Sequence, residues 1–302
     1  MIIITGPTAT GKTARAVDLA RRIGGEIVSA DSRQVYRRMD IGSGKDLDEY
    51  GEVPYHLIDI ADPGEVYNLY RFLNDSRNAC CDIERRGKHA VVCGGSGMYV
   101  EALARGTVMP EVPRNEKLRE QLEGKSLDEL RSILASMKTL HNNTDTDTVQ
   151  RALRAIEIQQ YYIENPDKAP DLSVRPATKQ PVIIGVMTDR ETRRSRISHR
   201  LSERLDAGMI EEVKHLLDEG VNPERLLAYG LEYRFVTEYI LGKLTYSEMK
   251  SRLEIAIHQF AKRQMTWFRG MERRGLHIDW LDASLGKDEF TDKILEICTS
   301  RS

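Results

Sequence analysis

Gly6-Pro7-Thr8-Ala9-Thr10-Gly11-Lys12-Thr13 follows the apolar run Ile2-Ile3-Ile4 almost at the start of the chain, and this junction decides the fold. The spacing is G-x-x-x-x-G-K-[ST], a loop whose backbone N–H groups cradle phosphate oxygens. The β-branched run before it reads as a buried strand. Residues 13–23 after it read as a helix with Ala16, Leu19, Ala20 and Ile23 on one face. A loop feeding a helix N-terminus is an anion site. Lys12 adds a point charge for phosphate, and the Thr13 hydroxyl suits Mg²⁺. A plain glycine- and threonine-rich turn would not need strand, lysine, threonine and helix together. The cradle implies a di- or triphosphate without saying which.

Outward from the cradle, strand and helix alternate. Glu26-Ile27-Val28-Ser29-Ala30 reads as a second strand ending at Asp31-Ser32. Residues 70–84 read as a helix, and Ala90-Val91-Val92-Cys93 as a strand stopping at Gly94-Gly95. This order predicts a doubly wound parallel sheet of the P-loop NTPase-like class. Ligands of such sheets gather beyond the carboxyl ends of the strands. The cradle, Asp31-Ser32 and Gly94-Gly95-Ser96 are therefore expected to share one crevice.

Past Pro110 and Pro113 the texture turns helical and polar: residues 115–122, 126–137 with Ser126 as cap, and 148–162. A loop over 165–180 precedes another strand, Pro181-Val182-Ile183-Ile184-Gly185-Val186. The expected organisation is a core of 1–112 and 179–302 with a helical insertion domain over 113–178. The remainder reads as helical, with Ile197, Leu201 and Leu205 on one stripe, Ile210, Val213, Leu216 and Leu217 on another after Gly208, and a long helix over 246–274.

Composition narrows the class. With 302 residues, 40% hydrophobic, 30% charged and a formal net charge of −2, the chain reads as a soluble protein without a global pull toward nucleic acid. Cys80, Cys81, Cys93 and Cys298 form no C-x-x-C pair, which favours reduced structural thiols. A strand starting at residue 2 leaves no room for a targeting peptide, and no run reaches bilayer length, so a cytoplasmic location is expected.

Four features invite chemistry. Asp31, at a strand end beside the cradle, suits a general base, a water-mediated metal ligand or a helix cap. Ser96, in Gly94-Gly95-Ser96-Gly97, offers a hydroxyl where glycines permit close approach. Arg196, Arg200 and Arg204 lie at i, i+4 and i+8 on one helix face, either neutralising a phosphate leaving group or forming a solvated face with Glu203 and Asp206. Between 258 and 275, five Lys/Arg (Lys262, Arg263, Arg269, Arg273, Arg274) stand against one acid, Glu272, interleaved with Trp267 and Phe268. Such a strip fits a nucleic-acid backbone, with the aromatics either stacking on bases or packing the core.

Taken in order, these segments resemble the tRNA dimethylallyltransferases (tRNA isopentenyltransferases). Gly6 to Thr13 is similar to the family's G-P-T-A-x-G-K-T, and Asp31-Ser32-Arg33-Gln34-Val35-Tyr36 to D-S-R-Q-V-Y. His56-Leu57-Ile58-Asp59 with Asp62-Pro63 fits the next block. Gly94-Gly95-Ser96-Gly97-Met98-Tyr99 is similar to G-G-T-G-L-Y, Arg151 with Arg154-Ala155-Ile156-Glu157 to R-x-x-R-A-L-E, and Ala261-Lys262-Arg263-Gln264 with Thr266-Trp267-Phe268-Arg269 to A-K-R-Q-x-T-W-F-R.

The resemblance implies transfer of a dimethylallyl group from its diphosphate to the exocyclic amine of the adenine 3′ of the anticodon in tRNA, with Mg²⁺ as cofactor and tRNA and dimethylallyl diphosphate as partners. It assigns the cradle, Gly6, Pro7, Thr8, Ala9, Thr10, Gly11, Lys12 and Thr13, to the diphosphate, with Arg196 and Arg200 (an R-I-x-x-R segment) as its clamp. Asp31 would deprotonate the amine, with Lys12 and Ser96 assisting, Ser96 standing where the family has threonine. Arg119, Gln150, Arg151, Ala152, Leu153 and Arg154 would touch the tRNA with Asp31, Ser32, Arg33, Gln34 and Ser96, and the basic strip of Lys262, Arg263 and Arg269 would join them. The chain is expected to act as a monomer. Adenylate prenylation on free AMP, or a small-molecule P-loop kinase, are the competing expectations.

The chain also departs from the family pattern. Gly42-Ser43-Gly44-Lys45-Asp46 replaces G-T-A-K-P, 141–145 only loosely matches N-D-x-x-R, and Ala228-Tyr229-Gly230-Leu231-Glu232-Tyr233 stands where I-G-Y-K-E is typical.

Overall fold

A computed structural model describes residues 1–109, 111–139, 146–168 and 181–301. Pro110, the departing stretch 141–145 and most of the loop expected over 165–180 lie outside the described residues. The chain divides into two compact units, Met1–Thr107 with Thr178–Ser302, and Val108–Ala177.

The first unit is built on β1 (Ile2–Thr5), which runs through the cradle into α1 (Lys12–Ile23), then β2 (Gly25–Ser29), β3 (Tyr55–His56), α2 (Leu69–Arg85), β4 (His89–Gly94) and α3 (Gly97–Ala104). Every strand pairing is parallel, in the order β3-β2-β4-β1, continued by β5 (Val182–Met187) and β6 (Asp279–Asp282). β1 lies between β4 and β5, so both its faces and both its edges are covered. That is why Ile2-Ile3-Ile4 is a continuous apolar run rather than an alternation. Ile3, Ile4, Ile27, Val91, Val92 and Ile184 are fully buried, each adding roughly 1.5–3 kcal/mol of transfer free energy.

After β5 come α7 (Arg190–Asp206), α8 (Met209–Asp218), α9 (Pro223–Ala228), α10 (Leu231–Ile240), α11 (Tyr246–Arg273) and, beyond β6, α12 (Lys287–Ser300). The expectation that everything after β5 is helical fails at β6. Asp279-Trp280-Leu281-Asp282 is a four-residue edge strand with too few apolar positions to show a period, and it forms because β5 presents an open edge. The stripe of Ile197, Leu201 and Leu205 on α7 is buried as its spacing predicts.

β2 carries one buried charge. Glu26 accepts hydrogen bonds from both Arg86 terminal nitrogens at 2.5 and 2.8 Å, meets Lys88 at 2.9 Å and pairs with His56 Nε2 at 2.8 Å. The Arg86 bonds hold its carboxyl well below the usual range despite burial. A folded pKa below the unfolded one adds stability that is complete above the unfolded value and disappears as pH falls through the folded value. Below the ordinary glutamate value of 4.5 the melting temperature should therefore fall more steeply for the wild type than for Glu26→Gln. Parallel slopes in thermal melts would remove Glu26 from the acid response.

The second unit contains α4 (Glu116–Gln121), α5 (Leu127–Met137) and α6 (Val149–Glu164). Ser126 closes a capping box with Glu129, and Leu122, Leu130, Leu134, Ala152 and Ile156 form the core. Two of the expected tRNA contacts need correction. Ala152 is 0% exposed, and Leu153 packs against the same core, so helix position alone misplaced both. The Arg119 guanidinium donates to buried Glu157 at 2.6 and 2.8 Å, and Arg154 donates to Glu157 and to the Val112 carbonyl. Gln150 and Arg151 are exposed, Arg151 paired with Asp147 at 2.5 Å.

Candidate active site

The strand register aligns the three loop starts. Thr5 is level with Gly94 and Ser29 with Cys93, while the Ala30 N–H donates to the Cys93 carbonyl at 2.7 Å. Beyond Thr5 the cradle is braced from within: the Thr10 hydroxyl donates to the Pro7 carbonyl at 2.9 Å and Lys12 Nζ to the same oxygen at 3.4 Å. Gly11 caps α1 in the left-handed region (φ 79), with no side-chain cap and no acid in the first turn. Most other helices here begin on an Asn, Asp, Ser or Thr that fills this role, as Asn68 does for α2 and Asp189 for α7. The first N–H groups of α1 are thus left for an anion.

Lys12 has its pKa lowered by burial, against the pull of Cys93 and Asp31. Burial pushes the Cys93 thiol up to about 12, so it stays neutral, and all four cysteines are free thiols. Thr13 lies half-buried next to Cys93, beside Lys12 at the start of α1.

The β4 turn packs directly on the cradle. A Cβ on Gly95 would lie 2.7 Å from Gln264 Nε2, 3.2 Å from the Gly6 carbonyl oxygen and 3.3 Å from Lys12 Cε, so only glycine fits. Gln264, on α11, pins both loops: its Nε2 donates to the Gly95 carbonyl at 2.8 Å, and its Oε1 accepts the Thr8 N–H at 2.9 Å. Gln264 belongs to the A-K-R-Q segment, but no local pattern links residue 264 to residue 8, so this role is not legible in the sequence. Gln264→Leu should strand both backbone groups, destabilise by about 1–3 kcal/mol and raise the KM for the diphosphate donor about tenfold. Melts and steady-state kinetics check this, and an unchanged donor KM would reduce Gln264 to a packing residue.

Asp31 is no helix cap. Its Oδ1 accepts the Arg33 N–H at 2.8 Å in a turn, and nothing among the described residues donates to Oδ2. The Ser96 hydroxyl accepts the Ser32 N–H at 3.1 Å, tying the β4 turn to the Asp31 turn. Ser32 and Arg33 are half-buried. Gln34 is engaged at both ends of its amide, accepting from the Ser29 hydroxyl and donating to the Gly44 carbonyl, each at 2.9 Å, and so holds the loop.

That loop, 39–46, is clasped from several sides. Glu212 accepts the N–H groups of Asp40, Ile41 and Gly42, and buried Lys45 donates to the Tyr36 carbonyl, Asp40 and Asp59. Across from it runs the arginine face of α7. A cavity of about 710 Å³ opens between Ala9 and Gly11 of the cradle, Asp46, and Arg196, Arg200 and Arg204. Arg196 is exposed and Arg200 is half-buried against Asp46. On α11, Lys262, Arg263 and Arg269 are exposed, Trp267 is 43% exposed and Phe268 belongs to the core, so the two aromatic alternatives divide between neighbours.

A parallel sheet with an uncapped phosphate cradle, a free carboxylate oxygen at the next strand end and a wall of arginines defines a P-loop protein equipped for group transfer from a phosphate ester. The family described as IPP transferase matches residues 34–271, and that described as isopentenyl transferase matches residues 1–52. The chain belongs to the IPP transferase family. It is 55% identical over 293 residues to tRNA dimethylallyltransferase 1 of Parabacteroides distasonis, covering 96% of this chain and 94% of that one. It is 52% identical over 307 residues to tRNA dimethylallyltransferase 2 of Phocaeicola vulgatus, covering 100% and 98%. Its fold matches the crystal structure of the tRNA isopentenylpyrophosphate transferase of Bacillus halodurans (TM-score 0.72, 28% identity, covering 99% and 95%). It also matches the tRNA delta(2)-isopentenylpyrophosphate transferase of Staphylococcus epidermidis (TM-score 0.71, 30% identity, covering 100% and 99%). No described helix is long and apolar enough to cross a membrane.

Proposed function

We propose that this chain transfers the dimethylallyl group of dimethylallyl diphosphate to the exocyclic amine of the adenine 3′ of the anticodon in tRNA. The observation that carries the reading at the site is the uncapped start of α1, with Lys12, beside the free Oδ2 of Asp31. The amine lone pair forms the new C–N bond to C1 of the allyl group. The C1–O bond to diphosphate breaks, its electron pair leaves with the diphosphate, and the amine proton passes to Asp31. Lys12, the cradle N–H groups and Arg196 and Arg200 neutralise the charge that develops on the leaving oxygens. An unpaired loop adenine is inexpensive to splay from its stack, and exposed Lys262, Arg263 and Arg269 supply phosphate contacts that position the tRNA.

Thr13 is the residue to hold Mg²⁺. The described residues offer no cluster of three or more acidic, His or Cys side chains for a metal. A single hydroxyl beside a cradle suits an ion whose other ligands are substrate oxygens and water. When bound, it supplies further charge neutralisation on the diphosphate. A tRNA acceptor supports a cytoplasmic location.

Purified protein incubated with Mg²⁺ and labelled dimethylallyl diphosphate should label a tRNA carrying adenine 3′ of its anticodon. Label on AMP alone would mean an adenylate prenyltransferase. ATP-dependent phosphate transfer without prenyl transfer would mean a kinase.

A further inference from the structure

We propose that Arg204 is a further diphosphate-binding residue of this chain, a guanidinium built into the cradle wall and held in place by Glu232 and Asp46 until the donor enters. The proposal rests on the reading of the cradle as the diphosphate site.

Arg204 is the third arginine on the α7 face, and its side chain is 16% exposed. With Thr8, Ala9 and Arg200 it lines a narrow cavity of about 20 Å³ at the cradle, and it also lines the larger one. Its acids stand at arm's length: Glu232 Oε1 is 3.9 Å from Nη1, and Asp46 Oδ2 is 3.9 Å from Nη2. Its Nε is buried with no acceptor, and among the described residues Arg204 makes no hydrogen bond. A guanidinium carries five donors in a rigid fork matched to phosphate and carboxylate oxygens. Burying it with all five unused is unfavourable unless a ligand supplies acceptors. Burial and Arg200 both oppose its charge, and burial pushes the Glu232 carboxyl up, with Arg204 pulling it back. The pair is therefore mutually under-compensated, and a diphosphate oxyanion repairs it.

The loop opposite is shaped for this side chain. Gly44 has φ +64, and a Cβ there would lie 1.6 Å from Arg204 Nη2 and 3.0 Å from Arg200 Nη2. Gly44 and Asp46 are two of the departures from G-T-A-K-P, and Glu232 lies in the stretch that departs from I-G-Y-K-E. Gly44 and Asp46 on one loop and Glu232 far along the chain all lie against Arg204. Arg204 accounts for them together: the glycine makes room for its guanidinium, and the two acids face it at 3.9 Å.

The test is calorimetric titration of inorganic diphosphate with Mg²⁺ into wild type, Arg204→Gln, Arg204→Lys and Gly44→Ala, alongside melts and steady-state kinetics. Arg204→Gln should weaken diphosphate about ten- to a hundredfold and raise the donor KM similarly, leaving the tRNA KM and the melting temperature unchanged. Arg204→Lys should fall between, keeping the charge without the fork, and stands in if the glutamine variant fails to fold. Gly44→Ala should displace the guanidinium and reproduce the loss. Unchanged diphosphate affinity in the Arg204 variants, or a fall in melting temperature with donor KM intact, overturns the proposal and leaves Arg204 a structural tie. Wild type that binds no diphosphate overturns the cradle reading itself, a separate result.

Discussion

Asp31→Asn is expected to lower kcat for prenyl transfer by about 10²- to 10⁴-fold, the usual contribution of a positioned general base, while leaving the affinity for inorganic diphosphate within about twofold. The amide is the informative substitution because Asp31 has two duties. Its Oδ1 accepts the Arg33 N–H and shapes the turn that presents Ser32 to Ser96. Asparagine keeps that acceptor, so the turn survives. What it removes is the anion that receives the amine proton. Asp31→Ala should abolish transfer as well but would also release the turn, mixing two effects. Single-turnover prenylation with calorimetric titration of diphosphate separates them. Retained turnover in the asparagine variant would remove Asp31 as the base, and a large loss of diphosphate affinity would make it part of the anion site instead.

Lys12→Ala should lower kcat by about 10²- to 10³-fold, the scale of removing one preorganised donor from a developing oxyanion, and should weaken inorganic diphosphate as well. The protein should not melt earlier, because burial already disfavours the Lys12 charge in the folded protein. Binding energy, rather than folding energy, holds that ammonium in place. A lowered pKa also means that free enzyme loses the Lys12 proton below the ordinary lysine value of 10.5. The donor kcat/KM, which reports the free enzyme, should therefore decline on the alkaline side before a free lysine would titrate. A Lys12→Ala protein with wild-type kcat would transfer the leaving-group role to the arginines of α7 alone.

The two predictions differ in how much of their basis was legible in the sequence. The cradle was readable because its function needs consecutive residues: a buried strand, a glycine to cap the helix, a lysine and a threonine. Asp31 was readable as a strand-end carboxylate, but not its turn with Arg33, which excludes the cap reading and fixes which oxygen is free. The apolar period on α7 predicted its buried face correctly, and Arg196, Arg200 and Arg204, one residue before each apolar position, share the face adjoining it. The same reasoning misjudged α6, where Ala152 points into the core, while Arg154 of α6 and Arg119 of α4 both serve a buried glutamate. Helical spacing gives a face, but not which charged neighbour claims it. β6 had no period to read and exists only because β5 offers an edge.

By itself the sequence determined the parallel sheet, the anion cradle and, through ordered motifs, the family, because each depends on short-range spacing that survives without coordinates. Tertiary structure alone decided that Gln264 joins Thr8 to Gly95, that Gln34 holds its own loop, and that Gly44, Asp46 and Glu232 meet around Arg204. Those contacts link residues from 5 to more than 250 positions apart. Hydrogen bonds and ion pairs act over a few ångströms of space, so their partners are set by how strands and helices pack and not by distance along the chain.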